Sequence, residues 1–552
     1  MTAGKQKAAA NNSDLLFLGA VVLCGLVLRG FLSSIDHVVW GDEPFYLWMG
    51  KNLADGHGLQ YIGQAETQFT PLFPLVTAAV YKLTGNLAVG SMICYVLFGA
   101  LLPVPVYCIA RTLYGQKTGR IAAILTAIWP PLMTGVLLWG TMTEPIYLFL
   151  AYTGVWTALL AWKQNLFRWY ALSGALFSLA YLTRGEGVAY AGVFFLLLLL
   201  LYLWERRGER RWVLPRLALF VAGFLIVASP YLVYLHHHTG GWTLSTNSAI
   251  TYITARGLRD GNVAQFDKET WGLDSSGQEV RFYSDEISQL STLDYVRADP
   301  NDFIRGTYVN LRRLPRILFS HRMFPMLMVL AVCVGWLKRA WDTERLKNEL
   351  FLVASACPIM IFAFFFFQER YVAAALPPLI IWGAHGLALI GDWIADTVKS
   401  LWPKRGLLVT RLLGTVPTAV AILGCAVLAP VLLTTTSRGS VSPVHKKVGL
   451  WIKDHAQEGS VVMSRLPAFA FHADARWVPY PNADYAEVLR YGRAHDADYF
   501  VLDEHFVVTV RPQMAFLLEE TSVADDLTLV HTDSSDPDRK VVVYSVNDAS
   551  NR

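Results

Sequence analysis

For most of its length the chain alternates long apolar runs with short polar breaks, and near residue 440 the pattern changes to that of a water-soluble fold. A helix needs about 20 mostly apolar residues to cross a bilayer, and about eleven runs approach that length. They lie near 14–35, 87–110, 121–139, 145–162, 169–183, 187–204, 213–235, 323–337, 350–367, 372–391 and 407–434. The fifth is short, and its boundary with the sixth can be drawn in more than one place. The run after MTAGKQK has no small-residue cleavage pattern behind it and carries Arg29 within it, so it reads as an uncleaved first span.

From Val441 onward, SVVMS, DYFVLD and KVVVYSV read as strands and AEVLRYGRAHDADYF as a charged helix. Such mixing predicts a small α/β domain. The expected architecture is therefore a polytopic α-helical membrane protein over 1–439, with outer loops at 36–86 and 236–321, followed by an α/β domain over 440–552.

Composition agrees. Of 552 residues, 54% are hydrophobic and 16% charged, against about 25% charged in a soluble domain. Mean hydropathy is +0.37. The net charge of +4 is too small to point to nucleic acid. All six cysteines lie in apolar runs, without a CxxC pair, and read as buried thiols.

The distribution of charge says more than its sum. Alternate short loops carry Lys5 and Lys7; Arg111, Lys117 and Arg120; Lys163 and Arg168; Arg206, Arg207, Arg210 and Arg211; Lys338, Arg339, Arg345 and Lys347; and Lys399, Lys404 and Arg405. The opposite loops carry Lys51, Lys82, Arg184 and Arg370. The bias places the N-terminus in the cytoplasm and the tail outside it.

Loop 36–86 contains VVWGDEPFYLWMGKNLADGHG, which reads as an amphipathic helix on the membrane surface with Phe45, Tyr46 and Trp48 at the interface. Asp42 and Glu43 open it. A carboxylate there is commonly a cap, and that reading stands beside a catalytic one. TQFTPLFPLVTAAVYKLTG follows as a second short helix, limited by Pro71 and Pro74. Together the two predict a roof that desolvates nearby acids and lifts them toward general-base use.

Glu144 in WGTMTEP, Arg184 and Glu186 in LTRGEG, and Glu369 and Arg370 in FQERY map to the same side. Each can be a helix-start acid or a local ion pair, yet charges near membrane depth point by default to function. The triplet His236-His237-His238 reads as an interfacial helix end. A histidine such as His57, with Asp42 or Glu144, has the ligand chemistry for a divalent metal ion; no cofactor is otherwise implied. GxxxxGK[ST], HExxH and GxSxG in a strand–turn–helix setting are absent, which argues against an ATP-driven pump.

In order, WGDEPFYLWMGKNLADG, FTPLFPLVTAAVYKLTG, TEPIYLFL, YLTRGEGVAYA, SPYLVYLHHHTGGWTLSTN and ERYVAAALPPL resemble the integral-membrane GT-C glycosyltransferases, over about residues 14–435. Within that group they are most similar to the protein O-mannosyltransferases and the bacterial aminoarabinose–lipid A transferases. The resemblance implies the GT-C fold and transfer of a sugar from a polyprenyl-phosphate donor to a protein, lipid or glycan hydroxyl, with inversion. It implies Asp42 as general base with Glu43 beside it, and Glu144 binding acceptor or metal, with Tyr46 on the acceptor side. For the donor phosphate, Arg184 and Arg370 are the candidates on charge. Pro44 after the Asp-Glu pair departs from the family pattern. The setting implied is a bacterial or archaeal inner membrane. A lipid or glycan transporter is the main rival, predicting midplane charges and paired broken helices; a non-catalytic scaffold is another.

Overall fold

The computed structural model describes all residues except 1–2, 36–37, 40, 134–142, 206–212, 285, 287–291, 339, 404–405, 437–441, 520–525 and 548–552. The basic residues Arg206, Arg207, Arg210, Arg211, Arg339, Lys404 and Arg405, most of the WGTMTEP turn, and the junction at 437–441 lie outside the described residues. The chain forms two compact units. One comprises Met1–Ile35, Thr70–Tyr234 and Val309–Thr436, the other Asp36–Phe69, Leu235–Tyr308 and Ser437–Arg552.

The first unit is helical. Among the described residues eight helices of the chain are long and apolar enough to cross a membrane: Asn12–Ser33, Leu87–Tyr114, Glu144–Gln164, Gly187–Trp204, Val213–Thr239, Thr343–Phe364, Glu369–Leu401 and Leu408–Leu432. The remaining expected runs are also helical but shorter: Gln116–Ile128, Phe167–Thr183 and Met326–Leu337. The fifth and sixth runs divide at Arg184, whose backbone is extended (φ −151°, ψ 129°).

Two close approaches show how such helices pack. Arg29 is fully buried inside the first span. Its Nη1 donates to the Ala127 carbonyl at 3.1 Å, in the last turn of the Gln116–Ile128 helix, where carbonyls carry partial negative charge. Gly99 makes the room, since a Cβ there would lie 2.5 Å from Arg29 Nε. Between Phe167–Thr183 and Val213–Thr239, a Cβ on Gly174 would fall 1.9 Å from the Phe220 oxygen, and one on Gly223 2.1 Å from the Ala171 oxygen. Without a hydrophobic drive between helices in lipid, backbone contact of this kind holds them together.

The second unit is built on a mixed five-stranded sheet of order β2-β1-β3-β5-β4, with β1 Val461–Ser464, β2 Arg476–Pro479, β3 Tyr499–Asp503, β4 Leu527–Asp536 and β5 Arg539–Val546. β1 runs parallel to β2 and β3, and β5 is antiparallel to β3 and β4. The register sets Phe500 against Tyr544 and Leu502 against Val542, all buried. Strands expected from SVVMS, DYFVLD and KVVVYSV are β1, β3 and β5; the charged helix is Tyr485–Ala494.

The reading of loop 36–86 as a surface-lying pair of helices needs correction. Both helices form, at Glu43–Asp55 and Leu72–Thr84, but they fall in different units. Phe45 and Tyr46 are buried in protein rather than placed at a lipid interface. Phe45 packs 5.3 Å from the Trp477 ring of β2 and 4.7 Å from Tyr61. Trp48 stacks on Trp477 at 6.4 Å, and Trp271 and Tyr283 from the later loop reach the same indole. The aromatic face that suits an interface suits this core equally, because either buries the same apolar area.

Candidate functional site

The first unit brings together residues far apart in sequence. Glu144 opens the Glu144–Gln164 helix, with Pro145 in its first turn. Arg184 follows the C-terminus of Phe167–Thr183, in a tight turn that Gly187 closes by donating its N–H to the Arg184 carbonyl at 2.8 Å. Thr70, from the FTPLFPL stretch, donates its hydroxyl to the Thr183 carbonyl at 2.7 Å and fixes the approach to Arg184. Arg370 lies in the first turn of Glu369–Leu401.

Arg184 Nη1 donates to Glu144 Oε1 at 2.6 Å and to Thr143 Oγ1 at 3.0 Å, and its Nε pairs with Glu186. The local pair anticipated in LTRGEG is thus one arm of a larger arrangement. Both partners of the Glu144 pair are largely shielded, with side chains 5% and 13% exposed. Arg370 donates to Gln368 Oε1 and to the Tyr371 hydroxyl, each at 3.0 Å. Tyr371 lies under both guanidinium groups, 5.4 Å from Arg184 and 5.0 Å from Arg370. Phe362 stacks flat on it at 4.3 Å. Glu144, Tyr147, Arg184, Glu186, Arg370 and Tyr371 line one recess. The N-terminal ends of three helices, Glu144–Gln164, Gly187–Trp204 and Glu369–Leu401, lie at or next to it and add partial positive charge.

Asp42, Glu43 and Tyr46 belong to the second unit. Asp42 occupies the N-cap position of Glu43–Asp55, yet its side chain makes no capping hydrogen bond. What remains of the cap reading is the favourable placing of a carboxylate at a helix N-terminus. Glu43 is 1% exposed. Tyr46 is buried with its ring edge-on to Phe69 at 4.9 Å.

Another acid lies in the same loop. Glu66 is 6% exposed; its Oε1 accepts from the Phe69 N–H at 3.0 Å and from the Gln68 N–H. Burial pushes its carboxyl up to about 7, against the opposing pull of these backbone donors and of Tyr61. Tyr61 is raised well above the usual phenol range, first by burial and then by the charges of Glu66 and Asp42. Burial also lifts Tyr283; Arg465 opposes this, and Asp42 and Glu66 add to it. The sequence reading missed Glu66, Tyr61 and Tyr283, because a lone acid in the polar stretch GQAETQ carries no signal until its burial is known.

The suggested metal ligands fare differently. His57 is exposed and sits beyond the C-terminus of Glu43–Asp55, a helix roughly 20 Å long with Asp42 at its other end. Among the described residues no three His, Cys, Asp or Glu side chains are placed to hold a metal ion.

Residues 68–234 match the family of dolichyl-phosphate-mannose-protein mannosyltransferases, a stretch that includes Glu144 and Arg184 and stops short of Asp42 and Arg370. Together with the shared fold described next, that match bears out the resemblance to integral-membrane GT-C glycosyltransferases.

The archaeal oligosaccharyltransferase AglB from Archaeoglobus fulgidus, solved with an inhibitory peptide and a dolichol-phosphate, superposes with a TM-score of 0.58 at 14% identity, covering 89% of this chain and 69% of that one. ArnT from Cupriavidus metallidurans, solved with undecaprenyl phosphate, superposes with a TM-score of 0.56 at 15% identity, over 97% of this chain and 98% of that one. No curated protein matches the sequence.

Proposed function

We propose that this chain transfers a sugar from a polyprenyl-phosphate-linked donor to a hydroxyl of a protein, lipid or glycan acceptor at the outer face of the membrane, inverting the anomeric centre. The observation that carries the reading is the recess where Arg184 and Arg370 meet three helix N-termini. Guanidinium groups and helix N-termini are what a phosphate needs. Arg184 already serves two carboxylates, so it positions Glu144 as well as adding charge. Arg370, which donates to Gln368 Oε1 and the Tyr371 hydroxyl, brings a second guanidinium group to the same recess. The solved neighbours that hold dolichol-phosphate and undecaprenyl phosphate support a donor of this class.

Asp42 is assigned as general base, with Glu43 next to it. It takes the acceptor hydroxyl proton as the acceptor oxygen bonds to the anomeric carbon. The bond from that carbon to the phosphate oxygen breaks, and the lipid phosphate leaves as a dianion that needs no general acid. Glu144 and Tyr46 are assigned to the acceptor side.

The test is a transfer assay on purified wild-type and Asp42→Asn protein, using radiolabelled polyprenyl-phosphate sugars and a membrane extract as acceptor source. Label should move from one donor to a protein, lipid or glycan fraction and should fall at least a hundredfold in the variant, a typical contribution of general-base catalysis. Full turnover by a well-folded Asp42→Asn protein would remove Asp42 as base. No transfer from any donor by the wild type would favour the transporter reading.

A further inference from the structure

The second unit contains a groove that this chemistry leaves unused. One wall is the Val263–Trp271 helix with the turn after it, and the other is the segment around Asn482 and Gln513. Its volume is about 1080 Å³, just above the roughly 300–1,000 Å³ range of small-molecule pockets, so the occupant it suits is extended.

The walls are fixed to each other. The Asn482 N–H donates to the Trp271 carbonyl at 2.7 Å, and its Nδ2 donates to Asp267 at 3.0 Å and to the Val510 carbonyl at 3.2 Å. Gln513 Nε2 in turn donates to Asn482 Oδ1 at 3.1 Å. Behind them Asp267, 2% exposed, holds Arg465 at 3.0 Å and the fully buried Arg511 at 3.1 Å. A groove braced by a buried carboxylate and two arginines keeps its shape before any ligand arrives.

Its lining selects the ligand. Gln265 and Gln513 offer amide oxygens, their Nε2 groups being held by Glu269 and by Asn482 and Ala483, Ser275 offers a hydroxyl, and Lys268, Glu487 and Arg490 offer charges of both signs. An amphipathic helix or a lipid tail finds no apolar stripe there, and a polyanion finds carboxylates in its way. A polyhydroxyl chain is matched, because donors and acceptors stand side by side. Glu269 and Arg281 are shared with a second recess of about 350 Å³, walled by Tyr252 and Tyr295, whose rings lie 5.6 Å apart. Aromatic faces supply the apolar contact that the C–H face of a sugar ring takes.

We infer that this groove is a saccharide-binding site that holds several consecutive sugar residues of a glycan acceptor. Calling the ligand an acceptor rests on the proposed transferase reading; the binding of saccharide does not. The test is calorimetric titration of the full-length protein in nanodiscs with linear gluco-, manno- and galacto-oligosaccharides of three to six residues. Parallel titrations use a variant combining the exposed positions Gln265→Ala, Glu487→Ala and Arg490→Ala. At least one series should bind saturably, with affinity rising with length. The groove variant should bind at least tenfold more weakly with its thermal stability unchanged. Absence of binding to every oligosaccharide, or equal binding by the groove variant, overturns the inference. Because no donor is present, saccharide binding by a protein that shows no transfer would separate failure of the transferase reading from failure of this one.

Discussion

Arg184 bridges Glu144 and Glu186 through different nitrogens of one planar group, and a lysine has no second arm with which to do this. Arg184→Lys keeps the charge but should lower kcat/KM for sugar transfer by about tenfold to a hundredfold, since Glu144 loses its fixed orientation. Arg184→Ala leaves Glu144 buried without this partner and should cost about 3–5 kcal/mol of stability, read from thermal unfolding in detergent. Glu66 gives a pH signature. Its folded carboxyl titrates at about 7, against an ordinary value of 4.5, so between those values the folded state binds more proton than the unfolded one. Stability should therefore fall as pH rises from about 4.5 to about 7 and level off above that, by about 3 kcal/mol in all. Melting of wild type and Glu66→Gln from pH 5 to pH 8 checks this: the difference between them should shrink toward low pH. That Glu144, Arg184 and Arg370 share one recess was foreshadowed in the sequence, because a charge beside an apolar run is costly and draws notice. Tyr371 and Glu66 were not, since one is an aromatic among aromatics and the other an acid in a polar loop.

Among the elements, the edge strand β2 is the least conspicuous in sequence, yet one of its side chains gathers aromatics from distant stretches of the chain. RWVP is four residues long and ends in proline, so neither length nor alternation marks it as a strand. Its Trp477 donates Nε1–H to the Ser464 carbonyl at 3.1 Å and meets Phe45, Trp48, Trp271 and Tyr283. Trp477→Ala should destabilise the second unit by about 3–5 kcal/mol, and limited proteolysis should then cut within 43–69 and 263–283 as well as near the strand itself. The long helices were legible for a simpler reason: spanning length is a local property of the sequence. Their packing was not. That Gly174 must lack a Cβ depends on Phe220, which lies on another helix. Gly174→Ala should therefore reduce thermal stability in detergent, a change that no propensity scale anticipates.

At the scale of the whole molecule, the bias of Lys and Arg among the short loops predicts that a reporter fused to the C-terminus is active outside the cytoplasm and silent within it. A cytoplasmic signal would reverse the placement of every proposed site residue. The sequence also announced a soluble tail, but not that residues 36–69 and 235–308 share its compact unit. Contacts between stretches so far apart leave no periodic trace, because each stretch reads locally as a loop. That three-part construction carries a consequence for biogenesis. Chains grow at roughly 5–20 residues per second, so the first segment emerges about 20 to 80 seconds before β2 is made. Phe45 and Trp48 must wait through that interval, and Trp271 through about half of it, without β2 to cover them. Until the tail arrives, the early loops are exposed aromatic clients for whatever holdase patrols the membrane surface, and a ribosome that stalls before residue 476 leaves them unsheltered for good.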